Sequence, residues 1–88
     1  MSWFVYILRW SDNSLYCGIT TDLERRVSAH NAGTGARYTR SRLPVQLVWY
    51  SRTTGKSEAS KEEFRIKRLP KGRKELLVAR ATDGIREP

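Results

Sequence analysis

The chain has 88 residues, 39% of them hydrophobic and 30% charged, which is enough apolar material for one core and too little for two. Seventeen Lys and Arg against nine Asp and Glu leave a formal charge of +8, so a polyanion is the expected partner, with nucleic acid the first candidate and a merely solubilising surface the plain alternative. The single cysteine, Cys17, excludes an internal disulfide and a thiolate metal cluster. No apolar run approaches about 18 residues and no charged n-region leads into an apolar stretch, so a cytoplasmic protein without a membrane span is expected.

Trp3 to Trp10, WFVYILRW, is β-branched and aromatic and ends at the turn-prone run Ser11-Asp12-Asn13-Ser14. A hairpin is predicted, returning through Leu15 to Ile19, with Gly18 leaving room for another backbone or a ligand to come close. Its register has a consequence. Pairing Ser11 with Ser14 puts Tyr6 and Tyr16 on opposite faces, whereas a three-residue loop or a bulge puts them on the same one.

Thr21-Asp22-Leu23-Glu24 matches a capping box, in which the Thr21 hydroxyl and Glu24 carboxylate satisfy amide donors at a helix start; the helix should reach about Asn31. Gly33 suits its C-terminal cap, and Gly33-Thr34-Gly35 opens a basic loop. Val45 to Tyr50 reads as a third strand introduced by Pro44. Ser57 can cap a second helix to about Leu69, which Pro70 and Gly72 break before a shorter helical stretch, Lys74 to Ala81. The expected fold is α+β: a small three-stranded antiparallel sheet flanked by helices, in the order β-β-α-β-α-α. Residues 1–82 form a single domain in this reading, and 83–88 a flexible C-terminal tail.

At about 100° per residue, Arg26 and His30 flank the buried stripe of the first helix while Arg25 points away from it. A cation one turn from an imidazole can clamp a phosphate while the imidazole handles protons or orients a tyrosine, although such a pair is also common on ordinary helix surfaces. Arg37, Tyr38 and Arg40 could contact nucleic acid through charge, stacking or a phosphate hydrogen bond, or form only an exposed basic loop. Lys67, Arg68, Lys71, Arg73 and Lys74 can track a phosphate backbone without reading sequence. Trp3, Trp10 and Trp49 read as core and strand-edge residues.

Val5-Tyr6-Ile7, then Tyr16-Cys17-Gly18-Ile19-Thr20, Leu23-Glu24-Arg25-Arg26 and His30, together resemble the opening of the GIY-YIG nuclease superfamily. Glu58-Ala59 with Glu63-Phe64-Arg65-Ile66-Lys67 extends the resemblance to the short single-domain YhbQ-like subfamily, over about Trp3 to Val78. It implies a metal-dependent endonuclease that hydrolyses DNA phosphodiesters with one Mg2+ or Mn2+. Tyr6, Tyr16, Arg26 and His30 then correspond to the catalytic groups and Glu63 to the metal-binding carboxylate. Arg26 would bind the scissile phosphate. Tyr6, or His30 with it, would take a proton from water, and Tyr16 would orient phosphate or water.

Helical geometry alone does not choose between Glu62, within the buried face of its helix, and Glu63 on the margin. Phe4-Val5-Tyr6 replaces the first family motif, Cys17 occupies a packing position of the second, and no asparagine follows Asn31. With no second domain to read sequence, the expected substrate is recognised by shape, or with the help of a protein partner. The alternative is a catalytically weak or inactive nucleic-acid-binding module of the same fold.

Overall fold

A computed structural model describes residues 2–31 and 44–85, with side chains described as far as Arg80. The elements follow as β1 (Trp3–Arg9), β2 (Leu15–Thr20), α1 (Leu23–Asn31), β3 (Gln46–Thr53), α2 (Lys56–Lys67) and α3 (Lys71–Ile85). The three strands form one antiparallel sheet in the order β2-β1-β3, as the sequence predicts.

Ser11, Asp12 and Asn13 make a three-residue hairpin loop. Asn13 donates its N–H to Trp10 O, Trp10 donates to Ser14 O, and Asn13 sits in the left-handed region at φ 71°. Asp12 Oδ1 fixes the turn by accepting from the Ser14 N–H at 3.0 Å and from its hydroxyl. Tyr6 is therefore opposite Gly18 and Leu8 opposite Tyr16, so both tyrosines project from one face.

Between β1 and β3 the register slips after Ile7: Ile7 pairs with Trp49 but Leu8 pairs with Leu47. Val48 is the extra residue of a bulge. It lets Val48 and Trp49 both pack on one side of the sheet while Leu47 packs on the other.

The pleat divides the core in two. Val5, Ile7 and Cys17 pack with Ala59 and Ile66 of α2 and Val78 of α3. On the opposite face Tyr6, Leu8 and Trp10 pack with Val45, Tyr16, Leu47, and Leu23 and Val27 of α1. Asn31, at the end of α1, ties that helix to the start of β3: its side-chain amide donates to Val45 O at 3.3 Å and accepts from Val45 N–H at 2.8 Å.

Several boundaries differ from expectation for local reasons. Asp22, not Thr21, caps α1, its Oδ1 accepting from Arg25 N–H at 3.1 Å; the Thr20 hydroxyl in turn accepts from Asp22 N–H at 3.1 Å. Gly55, not Ser57, is the N-cap of α2, and Glu58 reaches back to accept from Thr54 N–H at 3.2 Å. Arg68, Leu69 and Pro70 separate α2 from α3, and the Pro70 carbonyl accepts from Arg73 and Lys74, so Gly72 lies inside the first turn of α3 instead of breaking the chain. The helix continues to Ile85, beyond the expected Ala81. The basic loop from Gly33 through Arg40 lies outside the described residues.

Candidate active site

Tyr6 stands at the centre of the α1 face. It is 2% exposed, and its ring lies across the sheet onto β2. A Cβ built on Gly18 would meet the Tyr6 hydroxyl oxygen at 2.6 Å and Cζ at 2.8 Å. The close approach that Gly18 permits is thus made by the phenol itself. Burial raises the Tyr6 pKa well above the ordinary phenol value, and the neighbouring Tyr16, Cys17 and Glu63 push in the same direction while the Arg26 guanidinium opposes them.

Tyr16 connects Tyr6 to α1 through ring contacts. Its centroid lies 6.4 Å from that of Tyr6 and 6.0 Å from that of Trp10, and the His30 ring meets it edge-on at 5.5 Å. His30 is the buried residue of α1, 2% exposed, and neither ring nitrogen has a hydrogen-bond partner among the described residues. Desolvation, and then the charge of Arg26, lower its pKa, so the imidazole is neutral at pH 7. Its position is against Tyr16 and away from bulk water, which suits support of the tyrosine better than abstraction of a proton from solvent.

Arg26 is exposed on α1, and its charge acts on both Tyr6 and His30. With Arg25, Thr20, Thr21, Asp22 and Ala29 it lines a groove of about 340 Å³. Arg25 is a candidate that sequence reasoning missed: it points away from the core, which is the direction a groove-lining cation needs. The paired arginines Arg25-Arg26 following a helix cap were the available signal.

Glu63 lies on α2, the layer across the sheet, but α2 also covers β2, the strand at the sheet edge. Its charge acts on Tyr6, which packs on the α1 face, and on Cys17, which packs on the α2 face. Lys67 reaches Glu63 with N···O 3.3 Å. Partial burial would lower the Lys67 pKa, but this hydrogen bond and the charge of Glu63 outweigh it and raise the net value. Glu62 is engaged differently, its Oε1 accepting from Arg65 Nε at 2.6 Å. Cys17 is buried and its thiol is pushed up to about 11 by desolvation and the Glu63 charge, the state of a packing residue and not of a nucleophile.

Of the remaining candidates, Arg68 lies over the exposed Phe64 ring at 5.2 Å, and Lys71 approaches Glu75 at 3.7 Å. Both are exposed. Arg37, Tyr38 and Arg40 lie outside the described residues.

Among the described residues no group of three or more His, Cys, Asp and Glu gathers as a preformed metal cage. The donors that the sequence nominates are oxygens: the Glu63 carboxylate, whose charge reaches Tyr6, and the Tyr6 and Tyr16 phenols. A hard cation that keeps most of its waters needs little more than one carboxylate before substrate arrives, so this set fits Mg2+ or Mn2+ and would not hold a soft metal.

A three-stranded antiparallel sheet with a buried Tyr6 in ring contact with the half-buried Tyr16 on its α1 face, between helices that carry Arg26 and Glu63, is a nuclease-like fold. The chain belongs to the GIY-YIG family: residues 2–75 match the GIY-YIG catalytic domain. Nucleic acid, DNA in general, is the substrate of that family's nucleases, which typically depend on a divalent metal. A UPF0213 protein of Desulfotalea psychrophila is 50% identical over 85 residues, covering 96% of this chain and 77% of its own. A UPF0213 protein of Natronomonas pharaonis is 51% identical over 79 residues, covering 90% of this chain and 93% of its own. The solution structure of the UPF0213 protein BH0048 from Bacillus halodurans superposes with a TM-score of 0.58 at 44% identity, covering 90% of this chain and 84% of that one. No described helix is long and apolar enough to cross a membrane.

Proposed function

We propose that the protein is an endonuclease that hydrolyses DNA phosphodiesters with one Mg2+ or Mn2+, selecting substrate by shape more than by sequence. What supports this reading is the match of residues 2–75 to the GIY-YIG catalytic domain, together with the ring contacts that run from Tyr6 through Tyr16 to His30, one turn of α1 from Arg26.

Arg26 binds the scissile phosphate from the α1 groove, with the Thr20, Thr21 and Arg25 side chains as neighbouring donors. Glu63 would hold the cation, which when bound supplies positive charge against the developing phosphorane and toward the attacking water. Desolvation by burial, more than any neighbouring charge, keeps Tyr6 protonated, so it enters the reaction as a neutral phenol at the floor of the site. His30 packs Tyr16 in place, and Tyr16 fixes the Tyr6 ring over Gly18. Lys67 pairs with Glu63, and with a cation held at that carboxylate it would be released to meet substrate phosphate.

The second reading is a nucleic-acid-binding module with little turnover, favoured by the ion pair that already occupies Glu63 and by the sparse carboxylate set. Purified protein incubated with DNA separates the two. The nuclease reading expects cleavage with Mg2+ or Mn2+, its abolition by chelator, and its loss in Arg26→Ala and Glu63→Ala while Glu63→Ala still binds DNA. Cleavage that survives in both variants belongs to a contaminant and leaves the binding module.

A further inference from the structure

The face that carries Tyr6 continues onto β3. Tyr50 is the Cα partner of Tyr6, and directly opposed residues of an antiparallel pair project to the same side. Its ring meets that of Phe4, two residues before Tyr6, in a T-shaped contact with centroids 6.2 Å apart and planes at 70°. Tyr6 is closed off by the fold, but Tyr50 is 45% exposed. Arg52, opposite Phe4, extends the same face. Its Nε donates to Ser2 Oγ at 2.8 Å, and it lines an open recess of about 470 Å³ with Ser2, Thr53 and Thr54.

Tyr50 covers neither core cluster, so its packing does not account for a large aromatic at this position. A T-shaped contact with Phe4 engages at most one of its faces. From the middle of the sheet outward the order is a buried phenol, an open phenol braced by a second ring, and a guanidinium beside a polar recess. Aromatic side chains on an open sheet face, interleaved with cations, are the recurrent way proteins take up unpaired bases while cations follow the phosphates. A paired base inside a duplex has no free face to offer.

Phe4 is in turn the Cα partner of Thr20, which lines the Arg26 groove, and we infer that Tyr50, braced by Phe4, is a stacking platform for an unpaired nucleobase on the face that leads to that groove, with Arg52 contacting an adjoining phosphate. The inference rests on the nucleic-acid reading above and narrows it: the substrate class is a strand with at least one unpaired nucleotide beside the scissile bond, as at a flap or single-strand junction.

The test uses the full chain and a DNA flap carrying 2-aminopurine in its single-stranded arm at the junction, titrated at low salt in EDTA so that binding is read without cleavage. Wild type, Tyr50→Phe and Tyr50→Trp should quench the 2-aminopurine and bind alike. Tyr50→Ala, and Tyr50→Leu, which keeps apolar bulk against Phe4 but has no π-face, should lose the quench and about tenfold in flap affinity. Their affinity for a blunt duplex of the same sequence should not change. Arg52→Gln should reduce the salt dependence of flap binding by about one counterion. Wild-type flap affinity in Tyr50→Ala, or equal losses on flap and duplex, would overturn the platform while leaving the nuclease reading intact. A wild-type protein that binds neither DNA at low salt overturns both, and is told apart by the absence of any starting affinity.

Discussion

The two faces of the sheet are built from the same strand and are used differently. On the α2 and α3 side, β1 contributes Val5 and Ile7 to a cluster of aliphatic and small residues with Ala59, Ile66 and Val78. On the α1 side it contributes Tyr6, Leu8 and Trp10, and among the described residues the layer above them is one short helix bearing a buried His30 whose ring nitrogens have no hydrogen-bond partner there. A period-two strand can thus hold the molecule together with its odd residues and present chemistry with its even ones. Substitutions on the two faces should fail in different ways.

The largest expected effect is on chemistry alone. Glu63→Ala and Arg26→Ala should each reduce DNA cleavage on the order of 10²–10³-fold, the scale of losing one charge-stabilising group. Arg26 is exposed, so its removal should leave the melting curve nearly unmoved. A parallel collapse of melting temperature in Arg26→Ala would show that the α1 face is structural as well.

Ile66→Ala reverses the pattern. It opens a cavity in the aliphatic cluster at a fully buried site and should cost about 2–5 kcal/mol in urea unfolding. Cleavage by the fraction that remains folded should persist.

Gly18→Ala probes where the faces meet. The added methyl would stand 2.8 Å from Tyr6 Cζ, and overpacking of this kind costs about 1–3 kcal/mol. A double-mutant cycle with Tyr6→Leu should recover most of that cost, and a cycle with no coupling would mean that the ring does not rest on Gly18.

His30 gives a smaller, pH-dependent signature. Its folded pKa is depressed below the unfolded value of about 6.5, so unfolded chains take up the proton first as pH falls. The contribution of the neutral imidazole is complete above that value and is lost toward the lower, folded pKa. His30→Leu should flatten the melting temperature between pH 7.5 and 5.5 relative to wild type, and parallel profiles would remove this assignment.

The smallest effect belongs to the tether of α3. Arg9 donates to both Glu75 oxygens, at 2.9 and 2.6 Å, and to Asn13 Oδ1 at 2.9 Å. The pair is partly exposed and screened, so Arg9→Met should cost only about 0.5–1 kcal/mol by thermal denaturation.

The strands and helices were legible because aromatic and β-branched runs alternate with polar, well-punctuated segments. Tyr6 and Tyr16 could be found, but their common face depended on a loop conformation at Asn13 that sequence left open. The caps were misplaced by one or two residues, because Asp22 instead of Thr21 takes the Arg25 amide and α2 starts at Gly55 with no side-chain cap, Glu58 reaching back to Thr54 N–H. Glu63 emerged from family resemblance alone, since its location at the sheet edge depends on how α2 lies over β2. Tyr50 was hidden for a different reason. The bulge at Val48 puts Leu47 and Tyr50 on the same face although they are three residues apart, a separation that simple alternation assigns to opposite faces.

Strand β1 is hydrogen-bonded along both edges, between β2 and β3. Its backbone amides should therefore be among the slowest in the molecule to exchange with deuterium, surviving every partial opening short of global unfolding. Tyr6 rides on that strand, so an arriving ligand would have nothing to organise beneath it. The ordering entropy of association would fall on the surface arginines instead.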